Sequence, residues 1–173
     1  MSFKEEIKKS MEFLAKDEKT IFLGYNVKHG GRAMGSLVNV DESKLIETPI
    51  NENLMLSMAI GLSLHGYKPV VYYERFDFIM NAMDALVNHL DKIIDISHGE
   101  FLPKVIIRVV VGSKRNPMFT GDTHTQDFTE IMRRILKNVK IVKILLDNEI
   151  EEVYKMAYES KKSYMIIEER DLY

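Results

Sequence analysis

Three observations predict an α/β chain, a three-layer α/β/α sandwich around a mainly parallel sheet. Short apolar runs alternate with longer segments of helical periodicity. The run Val105 to Val111 is almost unbroken and β-branched, as expected of a central parallel strand covered on both faces. A length of 173 residues, 46% hydrophobic and 29% charged, suffices for one well-buried core and is short for two, so one domain over 1–173 is expected.

The elements follow in order. Phe3, Ile7, Met11 and Leu14 recur at helical spacing, and Thr20 to Gly24 reads as a short buried strand. The polar, Gly-bearing stretch from Tyr25 to Ser43 exceeds a routine connection and so is a candidate functional loop, and its Gly30 to Gly35 segment reads as a mobile loop. Lys44 to Glu47 returns as a strand. A helix is expected from Pro49 to His65, with Thr48 as its cap, Pro49 in its first turn and Gly66 at its end. Pro69 to Tyr73 is a strand, and Phe78 to Ile96 a long helix with Ile79, Met83, Leu86, Val87, Leu90 and Ile94 on one face. After the Val105 strand a loop runs from Gly112 to Gln126. Asp127 and Glu130 are placed as a capping pair for a short helix, and Val139 to Val142 forms a strand. The last helix has acids at its start and Lys155, Lys161 and Lys162 toward its end, and Ser163 to Glu168 closes as a strand.

Composition excludes several functions. A net charge of −2 with mixed signs offers no basic face to nucleic acid. No apolar stretch approaches the ~20 residues that span a bilayer, and the start lacks a signal-peptide core, so a cytoplasmic location without a membrane partner is expected. Absence of Cys removes thiolate catalysis and thiol-ligated zinc. The five His residues lack metal-ligand spacing, so no protein-only metal site is expected. Gly30 to Gly35 lacks the Lys-Ser/Thr ending of a phosphate loop.

Glu52 is the chemically pointed residue. It lies in the first turn of an apolar helix, where an acid at least complements the helix dipole. In open α/β sheets the ligand crevice lies beyond the carboxyl ends of the strands. Glu52, the pair Phe76 and Phe78, and His124 each follow a different expected strand, so three separated segments can converge on one site.

Four stations then carry a family resemblance: Glu47-Thr48-Pro49-Ile50-Asn51-Glu52; Gly61 with Gly66-Tyr67-Lys68-Pro69-Val70-Val71; Phe76-Asp77-Phe78 leading into Met83-Asp84-Ala85-Leu86-Val87-Asn88; and His124-Thr125-Gln126. From about Ser10 to Tyr173 the chain resembles the pyrimidine-binding domain of thiamine-diphosphate enzymes, above all the first domain of 2-oxo acid dehydrogenase beta subunits. The closing Glu168 to Tyr173 is similar to that family's domain-ending strand. The resemblance implies that Glu52 hydrogen-bonds N1′ of the cofactor's aminopyrimidine and promotes the imino tautomer that activates C2 of the thiazolium. It implies that Phe78, or Phe76 after a small alignment shift, stacks on the pyrimidine, that Ile50 lies near the cofactor, and that His124 faces the substrate.

The departures are equally specific. Gly121-Asp122-Thr123 and Asp147-Asn148 fall short of the Gly-Asp-Gly and Asn-Asn signature that holds magnesium and diphosphate. Ser160 and Lys162 stand where some relatives hold a structural potassium ion, which argues against that site. The chain stops where the family begins its C-terminal transketolase domain. The expected role is therefore the pyrimidine-binding subunit of a split enzyme acting on a 2-oxo acid or ketose. Its partner is a separate diphosphate-binding subunit that holds most of the Mg²⁺ contacts, in an α2β2 assembly. The alternatives are a split transketolase subunit and a cofactor-free interaction module that retains the fold.

Overall fold

A computed structural model describes residues 2–173. The chain runs α1 (Phe3–Leu14), β1 (Thr20–Gly24), β2 (Leu45–Glu47), α2 (Glu52–Leu64), β3 (Lys68–Tyr73), α3 (Ile93–Ile96), β4 (Ile106–Val111), α4 (Thr129–Ile135), β5 (Lys140–Lys143), α5 (Ile150–Glu159) and β6 (Tyr164–Glu169). The six strands form one sheet in the order β2-β1-β3-β4-β6-β5, and every neighbouring pair is parallel.

Strand alternation divides the core in two. Ile107, Val109 and Val111 of β4 join Leu23, Met55, Leu56, Phe76 and Leu86 on one face, while Ile106 and Val110 join Ile7, Met11, Phe22 and Tyr154 on the other. All six residues of β4 are buried, which confirms its central place. Arg108 is the one charged side chain there. Its guanidinium meets Glu168 of β6 in a bidentate pair at 2.8 and 2.9 Å, and also donates to Ser36 and Tyr173. Tyr154 and Tyr173 donate to the same carboxylate. So many partners are what a buried ion pair needs to offset its desolvation.

Several local expectations are corrected. Helix α2 is capped by Asn51, whose side chain accepts the Leu54 N–H at 3.0 Å, so Thr48 and Pro49 lie before it. Its far end is as expected: Gly66 has φ +84°, and the N–H groups of Gly66 and Tyr67 return to the carbonyls of Ser63 and Leu62. The single helix expected over Phe78 to Ile96 is broken into a tight helix (Phe76–Ala82), a wide-wound one (Asp84–Leu90) and α3. At the junction the side chain of Asn53 takes the Ala85 N–H at 3.1 Å, which diverts it from the helical ladder. Asp127 forms no capping box with Glu130; it holds the Thr129 N–H and hydroxyl, and Lys143 engages its other oxygen. Helix α5 ends at Glu159, because Ser160 turns the chain by accepting the Lys162 N–H, so Lys161 and Lys162 fall outside it.

The 25–43 stretch is not a free loop. Val27, Ala33, Leu37 and Val40 are buried, and Glu47 gathers the N–H groups of Asn26, Lys28 and His29. Burial opposes ionisation of Glu47, but those three donors hold its pKa below the ordinary carboxylate value. Among the described residues no helix is long and apolar enough to cross a membrane, and no cluster of His, Asp and Glu is arranged to hold a metal.

Candidate active site

The sheet order places a topological switch between β1 and β3, because the connection from β1 leads to one side and that from β3 to the other. Crevices at such points receive ligands. Tyr25 follows β1, Glu74 follows β3, and α2 begins nearby with Glu52.

Glu52 is buried, only 6% exposed. The hydroxyl of Tyr73 donates to its backbone carbonyl at 2.9 Å and so pins the first turn of α2 to the sheet. Among the described residues its side chain has a single hydrogen-bond partner, the Asn81 amide, at a long 3.4 Å. The buried hydroxyls of Tyr25 and Thr48 have no hydrogen-bond partner among the described residues. Burial, with Glu52 and Glu74 adding like charge, pushes the Tyr25 phenol well up, so this hydroxyl stays a proton donor. A buried carboxylate with one weak partner, beside an orphaned hydroxyl, is ready to receive a polar ligand atom.

The two phenylalanines differ. Phe76 is fully buried and meets Phe128 edge-on with centroids 5.7 Å apart, as a core residue. Phe78 is half-buried and meets the His124 ring edge-on at 5.2 Å. Ile50 is 78% exposed, just ahead of the Glu52 turn. Thus Glu52 is tied to Asn81, and Phe78, in the same tight helix as Asn81, touches His124.

His124 reaches this position through two devices. Asp77 accepts the backbone and side-chain N–H groups of Gln126 at 3.3 and 2.9 Å, which ties the loop to the tight helix. At the end of β4, a Cβ on Gly112 would lie 1.8 Å from the His124 carbonyl oxygen, so only glycine permits the loop to fold back here. Asn81, Tyr25 and Gly112 had not stood out in the sequence as site residues, and Asp77 stood in the Phe76-Asp77-Phe78 station without a role of its own. Asp77 sits between two phenylalanines already singled out, but nothing in linear text pairs it with Gln126.

Comparison with known proteins gives a consistent family. The model of the transketolase pyrimidine-binding domain matches residues 4–173. The mitochondrial pyruvate dehydrogenase E1 component subunit beta of Saccharomyces cerevisiae is 30% identical over 134 residues, covering 75% of this chain and 36% of that one. The 2-oxoisovalerate dehydrogenase subunit beta of Pseudomonas aeruginosa is 24% identical over 140 residues, covering 76% and 39%. Among solved structures, an inactive beta4 tetramer of a split-gene transketolase superposes with a TM-score of 0.77 at 16% identity, over 98% of this chain and 52% of that one. The chain thus spans little more than a third of these two curated relatives.

Proposed function

The chain belongs to the family of transketolase pyrimidine-binding domains, and on that premise we propose that it is the pyrimidine-binding subunit of a split thiamine-diphosphate enzyme acting on a 2-oxo acid or ketose. The single observation that carries the reading is Glu52, a buried carboxylate with one 3.4 Å partner at the switch point of the sheet. Such a group suits an aminopyrimidine, whose ring nitrogen would complete its hydrogen bonding. The half-buried Phe78 offers a face for stacking, whereas the fully buried Phe76 does not.

The chemistry supplied by bound thiamine diphosphate is an acidic carbon and an electron sink beside a carbonyl. This chain's residues hold and move protons around it. Glu52 would hold a proton against the pyrimidine ring nitrogen; the Asn81 amide touches its carboxylate, and the Tyr73 hydroxyl holds its backbone carbonyl. His124, fixed by Phe78 and the Asp77–Gln126 bonds, presents its imidazole to a substrate oxygen. The diphosphate and its Mg²⁺ are left to a separate subunit, and the two pair as α2β2. The exposed apolar side chains of Ile50, Leu54 and Met80 around the mouth of the site support such docking.

Glu52→Gln in the complex reconstituted with the diphosphate-binding subunit tests the reading. The mutant should fold and assemble while proton exchange at C2 of the cofactor slows by roughly 10²–10⁴-fold. Unchanged exchange in a folded, assembled mutant would remove Glu52 from its assigned role.

A further inference from the structure

Three hydroxyl side chains lie in a row beneath the first turn of α2. Leu23 of β1 pairs with Ile46 of β2 and with Val71 of β3, so two residues further along, where alternation returns to the same face, stand Tyr25, Thr48 and Tyr73. The Thr48 N–H donates to the Gly24 carbonyl at 3.0 Å and carries the ladder to that level. Tyr73 donates its proton to the Glu52 carbonyl at 2.9 Å, whereas the Tyr25 and Thr48 hydroxyls, closed to solvent, have no hydrogen-bond partner among the described residues. Tyr25 is only 6% exposed, and phenylalanine would fill the same space without leaving a donor unpaired, so its hydroxyl carries a cost. The charged and titratable groups that act on this hydroxyl are Glu52 from α2, and Tyr72, Tyr73, Glu74 and Arg75 from β3 and the residues after it. Glu52 acts most strongly among them, and Glu74 already accepts the Asn26 amide at 3.0 Å. The Asn81 amide touches Oε2 of Glu52, which leaves Oε1 unpaired among the described residues.

We propose that Tyr25 is a positioning residue for Glu52: its hydroxyl and the Asn81 amide are the two donors between which the carboxylate is fixed once a pyrimidine occupies the site. A side chain with a single long hydrogen bond turns easily, and a turn toward the row pairs the free oxygen with the unpaired phenol. Burial and the neighbouring carboxylates keep that phenol protonated, so it donates and adds no charge of its own. This role rests on the reading of Glu52 as the partner of the pyrimidine nitrogen. With one donor on each oxygen, the carboxylate presents its remaining lone pair along one line, which is what proton transfer to a fixed ring requires.

The first test uses the purified chain labelled with carbon-13 at the ζ position of tyrosine, the Tyr25 resonance being assigned by its loss in Tyr25→Phe. That carbon senses the charge its hydroxyl faces, so its shift should change as pH is lowered through the carboxylate range. The change should vanish in Glu52→Gln and persist in Glu74→Gln. No change in the parent, or a change that survives Glu52→Gln, would overturn the pairing. The second test uses the complex reconstituted with the diphosphate-binding subunit, in which Tyr25→Phe should slow proton exchange at C2 of the cofactor about ten-fold while thiamine-diphosphate affinity changes less than about two-fold. Exchange at the parent rate, or a matching loss of affinity, would leave Tyr25 a packing residue and overturn the role. The carbon measurement needs neither cofactor nor partner, so its outcome is separate from the Glu52 experiment. Unchanged C2 exchange in Glu52→Gln would sink the cofactor reading and leave the Tyr25–Glu52 pairing standing, whereas a shift change that survives Glu52→Gln would sink the pairing alone.

Discussion

Phe76 and Phe78, two positions apart, are nearly indistinguishable as text, and the fold gives them opposite surroundings. Phe76 is fully buried between α2, β4 and Phe128, so Phe76→Ala should cost about 3–5 kcal/mol, read as a lower midpoint in denaturant unfolding. Phe78→Ala removes a half-buried ring, so its stability loss should be well below that. Its effect should appear instead as weaker thiamine-diphosphate binding in the assembled complex. Equal stability losses, or intact cofactor binding in folded Phe78→Ala, would contradict this division. Glu52 and His124 stood out in the sequence only where residue type and position after a strand met the family resemblance. Asn81 and Gly112 were not, because their roles depend on contacts 29 and 12 residues away in sequence.

At the scale of elements, the sheet was readable because parallel strands buried on both faces are written as nearly continuous apolar runs. The segment 76–96 was not, since its apolar residues fit a 3.6 period while the side chain of Asn53 captures the Ala85 N–H that such a helix needs. The end of this segment contains a strong local device. Asp91, fully buried, accepts the N–H groups of Lys137, Asn138 and Val139 at 2.8, 2.7 and 3.2 Å and thereby fixes the approach to β5. Burial would raise its pKa, but Lys92 and these donors hold it below the ordinary value. A carboxyl depressed in the native state stabilises fully above its unfolded pKa, near 3.9 for Asp, and loses that contribution as pH falls through the native value. Asp91→Asn should therefore destabilise by about 1.5–3 kcal/mol at neutral pH. The difference from the parent should shrink below about pH 4, as measured by unfolding at a series of pH values. A constant difference down to strongly acid pH would show that the charge on Asp91 contributes nothing.

Across the whole molecule, an all-parallel sheet with its switch between β1 and β3 gathers Glu52, Phe78 and His124 at one end, with exposed apolar residues close by. In the proposed reading those residues serve a pyrimidine and a substrate oxygen. Among the described residues no acidic cluster is arranged to hold Mg²⁺ beside a diphosphate, although most of the cofactor's charge lies in that part. The central proposal is that this chain supplies half a site. Calorimetric titration of thiamine diphosphate and Mg²⁺ into the purified chain, alone and then with the diphosphate-binding subunit, tests it most directly. The expected result is no binding tighter than about millimolar, roughly −4 kcal/mol, for the chain alone, and tight binding once the partner is added. Micromolar binding with turnover by the chain alone would contradict it.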